Sequence, residues 1–575
     1  MKTEWNTSPV SMTELGIYLD WRKNLQGTAY NIPILSPLPD GTDPGRLSEA
    51  LKKTLLAHPN LLSHFRMETD GSVTRLTPAG ESADIKVAVE HIQEEPSAET
   101  LVRPFSDPEG DLYRLIIMTG RDRSFLFTDF HHIVFDGLSI PVFFSELDRA
   151  YQGETLAGET VSAADAAGME REARRTEAFS KAEQWYRDLL NDTEICSAPI
   201  HDQEGGEPKN AFLERALDLD AGKLSAFVKE KGIRTSTFFT GVFGYLLSRF
   251  AGAEEALYAT IHNGRTKETA GDTGMFVKTF PVLERFDGQE GISAHLQALD
   301  GQIRKSRANG LFSYADICSA FQLSIPALFA YQGELEPELP FLGGRITPRI
   351  IQSDDPKEEM VAEVFRGQGS YRLRLSYRTD LFDRKSMEAF AESYGQTARA
   401  FLNADTFAQA DITSDAQKKQ LDAFLPDDSP ADGPDDIVSL FRARAKERPD
   451  AEALIIGDVR RTYGEIDDIS GRIAKYLLSR GIGRGRVVSI LIHRNEYMVS
   501  ASLGALKSGA CYQPLDPSYP AEIFECDRND RCLYLYFSRH LFYFKKIWSP
   551  GTCYPKLDFA LIWLDLCHRI HDWNW

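Results

Sequence analysis

The chain reads as an α/β (α+β) protein: two lobes of mixed helix and strand, then a linker, then the opening of a second α/β module. Three observations predict this. Residues 1–425 alternate between helical and strand-like apolar periods. Residues 426–434, Pro-Asp-Asp-Ser-Pro-Ala-Asp-Gly-Pro, form a proline- and acid-rich stretch almost without apolar side chains. The run His131-His132-Ile133-Val134-Phe135-Asp136-Gly137 falls where a strand pattern stops and a helical one begins. A chance match to that grouping in such a chain is about one in a thousand from ordinary residue frequencies.

Asp43-Pro44 predicts a helix start, the acid as N-cap and the proline at the first helical position. Leu47, Ala50, Leu51, Thr54 and Leu55 then share one face. Residues 115–118 and 125–130 read as strands joined at Gly120-Arg121-Asp122-Arg123. Gly137 permits a sharp turn, and a helix follows over 138–151. Phe179, Ala182, Trp185, Tyr186 and Leu189 form a helical face on the connection to the second lobe, where 236–250 reads as an apolar helix and 257–261 as a strand. After the linker, Asp435 or Asp436 caps a helix whose buried face is Ile437, Leu440, Phe441 and Ala445. A hairpin turning at Gly457-Asp458, a helix over 466–478 and a strand over 487–492 open an α/β unit.

The chain has 575 residues, 42% hydrophobic and 26% charged, with a formal net charge of −20. That balance argues against nucleic acid or an anionic membrane as partner, because both reward positive fields. The first thirteen residues lack the apolar core of a secretory signal, and no run of about 20 apolar residues suggests a membrane span. Cys196, Cys318 and Cys511 match no metal or disulfide spacing, so a reducing cytoplasm is the expected compartment. Four of the seven cysteines (Cys526, Cys532, Cys553, Cys567) and four of the seven tryptophans (Trp548, Trp563, Trp573, Trp575) crowd into the last stretch. No helical period runs through it, and the spacing of its cysteines, with His568 or His571, fits no standard zinc pattern. It reads as an aberrant tail, such as a shifted reading frame produces, and not as a domain.

The double histidine points to acyl transfer. Attack of an amine on a thioester needs positioning, a proton acceptor and stabilisation of the developing oxyanion. A histidine at a strand end suits the second task, being mostly neutral near pH 7. Adjacent strand residues point to opposite faces, so one of His131 and His132 faces the reaction and the other packs. Asp136 either orients His132 or makes a buried ion pair that fixes the turn. The Gly137 N–H begins a helix and could face an anion.

The motif resembles the HHxxxDG hallmark of nonribosomal peptide synthetase condensation domains and related acyltransferases. Residues 11–18 are similar to that family's opening block, and His58-Pro59-Asn60-Leu61-Leu62-Ser63-His64-Phe65 to a degraded second block. Asn263-Gly264-Arg265 and Gly274-Met275-Phe276-Val277-Lys278-Thr279 resemble a later block, GxFVNT. Epimerisation and heterocyclisation relatives fit less well. The former carry an EGHGRE-like stretch where this chain has His262-Asn263-Gly264-Arg265-Thr266-Lys267-Glu268, and the latter replace the histidines with aspartate.

The resemblance implies two chloramphenicol-acetyltransferase-like lobes, 1–175 and 176–425, around a tunnel. Upstream and downstream peptidyl carrier proteins would present thioesters on 4′-phosphopantetheine, with no cofactor or metal bound directly and no nucleic acid or membrane as partner. The protein is expected to be monomeric. His132 would carry the chemistry and Gly137 lend its backbone. His131 and Asp136 would hold the loop, with Arg265 the first candidate partner of Asp136 and Arg66 the second. Met275, Val277 and Thr279 would line the tunnel.

Arg461-Thr462-Tyr463-Gly464-Glu465-Ile466 and residues 506–517 resemble the first blocks of an adenylation domain, here a fragment over 437–522 behind the linker 426–436. No phosphate-gripping loop follows, so no functional ATP site is expected. No carrier serine is present, because Leu342-Gly343-Gly344 is followed by Arg345. Two other readings stand beside amide-bond formation: an inactive synthetase remnant that only binds carriers, with the apolar faces of Leu440, Phe441 and Leu477 left unpartnered, and a stand-alone HHxxxDG acyltransferase.

Overall fold

The computed structural model describes residues 4–80, 83–121, 123–191, 197–203, 205–334, 338–367, 369–424, 436–492, 494–516, 532–538 and 541–545. The chain forms two compact units, Met1–Leu425 and Pro426–Trp575. Among the described residues no helix is long and apolar enough to cross a membrane.

The first lobe of the first unit is built on a five-stranded sheet. Its order is Arg349–Ile350, Asn31–Leu38, Ser124–His131, Tyr113–Thr119, Ala88–His91. The expected hairpin is present, with Tyr113 opposite Phe130 and Met118 opposite Phe125. Its turn needs glycine at 120, where a Cβ would stand 2.4 Å from the Arg123 carbonyl oxygen. The helix Pro44–Ala57 starts as expected: the Asp43 carboxylate accepts from the Arg46 N–H at 2.9 Å. With the helix Ser139–Gln152 it buries Leu47, Leu51, Leu55, Phe143, Phe144 and Leu147 in one core with Ile117 and Phe130. Side chains of this size each contribute about 1.5–3 kcal/mol by leaving water. The double histidine is thus the end of a strand held on both sides.

The second lobe has a six-stranded sheet in the order Lys278–Arg285, Glu255–His262, Ala327–Glu334, Met360–Arg366, Tyr371–Arg378, Asn210–Leu217. The helix Thr235–Phe250 is buried almost all round, as its continuous apolar sequence predicts. Gly244 lets it approach the sheet: a Cβ there would fall 1.8 Å from Glu284 Oε1.

A clean lobe boundary at 175/176 needs correction. The hairpin Leu339–Phe341/Gly344–Ile346 returns to the helix Ser139–Gln152, with Phe341 against Phe144 and the Leu342 N–H donating to Asp148 Oδ1 at 2.6 Å. Arg349–Ile350 then pairs with the exposed edge Asn31–Leu38. An open strand edge accepts any segment of suitable length, and local periodicity does not say which.

In the second unit Asp436 caps the helix Ile437–Glu447 through the Ser439 N–H at 2.7 Å. Its expected buried face is only partly buried: Ile437 is 61% exposed and Leu440 49%, while Ala445 is buried. Phe441 stacks near Tyr463, and Leu477 is fully buried against Val488, Ile490 and Ala501, so neither is unpartnered. The helix Tyr463–Ser479 opens with a Thr462/Glu465 capping box. The strands Val487–Leu491 and Cys511–Leu515 run parallel around the helix Tyr497–Lys507.

Part of the expected tail is strand. Cys532–Ser538 pairs parallel with Val487–Leu491, and Leu541–Lys545 pairs antiparallel with it. A helical period passes over such short aromatic-rich runs, which suit strands. Cys196, the linker 426–434, Asp435, Pro520-Ala521-Glu522 and the tail's Cys526, Cys553, Cys567, His568, His571 and tryptophans lie outside the described residues.

Candidate active site

The strand Ser124–His131 ends with its two histidines in different surroundings. His131 is 1% exposed. Its ring sits 4.0 Å from the Trp21 ring and 5.8 Å from those of Tyr30 and Phe105. Its Nδ1 accepts the Ile133 N–H at 3.2 Å, which puts the ring proton on Nε2. His132 is tethered through its backbone, its N–H donating to the Tyr30 carbonyl at 2.7 Å. Its side chain is half-buried, and Nδ1 has no hydrogen-bond partner among the described residues. Asn60 props the loop from behind, its Nδ2 donating to the Val134 carbonyl at 3.0 Å.

Asp136 is fully buried, and its oxygens are all engaged. Oδ1 accepts from the Ser139 N–H and Ser139 Oγ, both at 2.9 Å. Oδ2 accepts from the Phe276 N–H at 3.0 Å. The Arg265 guanidinium grips both oxygens at 2.7 and 2.9 Å, with its face 4.7 Å from the Phe276 ring centre. Ser139 Oγ also accepts from the Gly274 N–H and from Arg265 Nη2, each at 3.0 Å. A carboxylate so satisfied has no lone pair left to orient His132. Gly264 makes the approach possible: its φ is +62°, and a Cβ would lie 1.8 Å from the Phe276 carbonyl oxygen.

Of the residues singled out from sequence, His131, His132, Asp136 and Arg265 therefore form one assembly. Arg66 stands apart, paired with Glu109 at 2.6 Å where both are about half exposed. Gly137 differs from expectation. Its φ is outside the left-handed region, and the helix begins at Ser139 with Leu138 as cap. A Cβ at Gly137 would meet nothing within 4 Å. The Asp136–Ser139 bonds make the turn, and Gly137, exposed, leaves open space on the loop. Met275, Val277 and Thr279 are half-buried; Met275 packs on the first-lobe core, and Thr279 is paired with Ile261 on the second-lobe sheet. Between the latter two, Lys278 donates to Thr13 Oγ1 at 3.1 Å and Glu170 Oε2 at 3.3 Å.

Burial, then the positive charge of Lys357, pushes His132 down to about 4, against the pull of the His132 and Phe135 carbonyls and of Asp136. Burial also holds His131 well below the usual imidazole range. Both rings are neutral at neutral pH; His131 is packed on all sides, whereas His132 is only partly buried and its Nδ1 has no hydrogen-bond partner among the described residues. Tyr30, Ser139 and Lys357 carry no signal in the sequence for this site, except that Ser139 stands three residues after Asp136, the spacing of a capped turn; Asn60 was reachable only as part of the degraded second block.

A seven-residue loop at a strand end, pinned across two lobes by a buried Asp–Arg pair and presenting one neutral histidine, defines the HHxxxDG acyltransferase class. Residues 7–422 match the condensation domain family, and the chain belongs to it. Residues 441–525 match part of the AMP-binding enzyme family. Among curated relatives, tyrocidine synthase 2 of Brevibacillus parabrevis is 26% identical over 89% of this chain, and bacitracin synthase 1 of Bacillus licheniformis is 25% identical over 86%. The chain spans only 15% of the length of the former and 10% of the latter. Similar solved structures include a holo four-domain nonribosomal peptide synthetase bound to AMP and glycine (TM-score 0.63, 19% identity, 93% of this chain and 44% of that one). The first condensation domain of the calcium-dependent antibiotic synthetase, in complex with a substrate analogue, is similar at TM-score 0.60 and 16% identity, over 71% of this chain and all of that one.

Proposed function

We propose that the first unit forms an amide bond between a carrier-bound aminoacyl or peptidyl thioester and an aminoacyl acceptor in nonribosomal peptide synthesis. The observation that carries this is the split between the histidines: His131 is packed and bonded, whereas His132 is neutral, only partly buried and without a hydrogen bond at Nδ1. The acceptor nitrogen attacks the thioester carbon, and the carbon–sulfur bond breaks. The proton shed by nitrogen passes to the His132 imidazole and leaves with the thiol. Asp136, engaged by Arg265, holds the loop; the space beside Gly137 admits the reacting groups. Peptidyl carrier proteins on either side, bearing 4′-phosphopantetheine, are the partners; no directly bound cofactor is required for this step. Condensation-domain membership and relatives that include peptide antibiotic synthases support the reading.

The test is His132→Ala with loaded donor and acceptor carriers. Transfer should fall by about a hundred- to ten-thousand-fold, the usual worth of a general base. Undiminished product would remove the role.

A further inference from the structure

We propose that Lys357 is a positioning residue of the transfer site: it sets a fixed positive charge beside the double histidine, so that His132 and the acceptor amine meet in their neutral forms. This rests on the reading of His132 as proton acceptor and adds how that state is enforced.

The second-lobe segment that carries Lys357 is clasped to the first lobe. Thr28 Oγ1 lies 2.7 Å from Ser353 Oγ and donates to Asp355 Oδ2 at 3.0 Å; the Ile351 N–H donates to the Pro33 carbonyl at 2.8 Å. The clasp lodges the Lys357 ammonium 4.5 Å from the centre of the Tyr30 ring. That ring is nearly parallel to His131 at 5.8 Å, and the Tyr30 carbonyl holds the His132 N–H. One tyrosine therefore ties the cation to both histidines. Among the described residues Lys357 makes no hydrogen bond or ion pair within 4.0 Å; its contact is the Tyr30 face. Lys357 is exposed, yet desolvation by the protein around it lowers its ammonium below the usual lysine range.

The neighbouring charges do not cancel it at His132. Asp136, on the histidine loop, pulls His132 the other way but is paired with Arg265 from the second lobe, and the ring stays low. Asp20, on the helix Met12–Trp21, accepts from Tyr30 Oη at 2.7 Å and pairs with Lys23 at 2.8 Å. Glu358, beside Lys357, is pushed up to about 7 by burial and is only partly ionised at neutral pH. A nearby cation disfavours any second positive charge, on imidazole or on an α-ammonium alike. The result is a neutral acceptor facing a neutral nucleophile.

The test uses the full chain labelled with 13Cε1-histidine, the His132 resonance being identified by its loss in His132→Gln. In Lys357→Met the His132 titration should move up by about half a pH unit or more, while Lys357→Arg keeps the wild-type midpoint. A lysine that merely braced the loop would leave the midpoint in place, and an unmoved midpoint in Lys357→Met overturns the proposal. If Lys357→Met does not fold, Tyr30→Leu, which removes the seat of the ammonium, gives the same readings: an upward shift supports the proposal and none overturns it. The parent reading fails separately, on undiminished transfer by His132→Ala.

Discussion

Two histidine sites, one in each lobe, show opposite uses of the same side chain. His132 has no carboxylate bonded to it, and burial with Lys357 drives it down to about 4. His295 lies between two carboxylates, with Nε2 2.8 Å from Glu284 and Nδ1 3.1 Å from Glu290. Burial pulls His295 down, but the bonds and charges of Glu284 and Glu290 outweigh it and hold the imidazole above its usual value. Tyr258 Oη donates to Glu284 at 2.7 Å and completes that cluster. A histidine whose nitrogens both face acids is biased toward its charged form and braces a fold. One left neutral and open can move a proton.

The largest way to break the contrast is at the pair that keeps Asp136 away from His132. Arg265→Met leaves a fully buried carboxylate uncompensated and should cost about 3–5 kcal/mol in thermal or urea unfolding. The double variant Asp136→Asn/Arg265→Met should recover part of that loss, because the stranded charge is gone.

Glycine substitutions divide the two sites next. Gly244→Ala drives a methyl into Glu284 and should destabilise by about 1–3 kcal/mol. Gly137→Ala meets open space with ordinary φ, so stability should stay within about 0.5 kcal/mol while transfer slows. Unchanged transfer in Gly137→Ala would show that substrate does not use that space.

The pH dependence of stability sharpens the comparison with opposite signs. His295 has a folded pKa above its unfolded one, so its contribution is complete below about 6.5 and is lost as pH rises through the folded value. His132 has a folded pKa of about 4, below its unfolded one, so its contribution is complete above about 6.5 and is lost as pH falls toward 4. Each unit of separation is worth at most about 1.4 kcal/mol. Thermal midpoints measured from pH 4 to 9 should lose their alkaline fall in His295→Gln and part of their acid fall in His132→Gln. A pH profile unchanged by either substitution would overturn the corresponding assignment.

The last test is at Asn60. Asn60→Ala removes one prop of the histidine loop and should cost about 1–3 kcal/mol or less, with a matching loosening of transfer.

Much of this was legible in local chemistry. Asp43-Pro44 starts a helix because a short acid satisfies free N–H groups and proline loses no bond there. The 113–131 hairpin follows from alternation closed by Gly120. Arg265 was reachable only through resemblance, since nothing in its own spacing points to a carboxylate 129 residues away. Ile437 and Leu440 mislead because helical period marks an apolar face without saying what covers it. Tyr30 and Lys357 stayed hidden because their roles arise where a strand end, a loop and a second lobe converge.

The sequence by itself determined the alternation of helices and strands, the break near 425 and the HHxxxDG run, since each depends on residues close in the chain. Tertiary structure decided which histidine is free. That choice depends on Trp21, Tyr30 and Phe105 closing over His131, on Arg265 occupying Asp136, and on Lys357 reaching Tyr30. Burial and charge at a point are sums over everything that arrives there, and one stretch of chain holds only one term of such a sum.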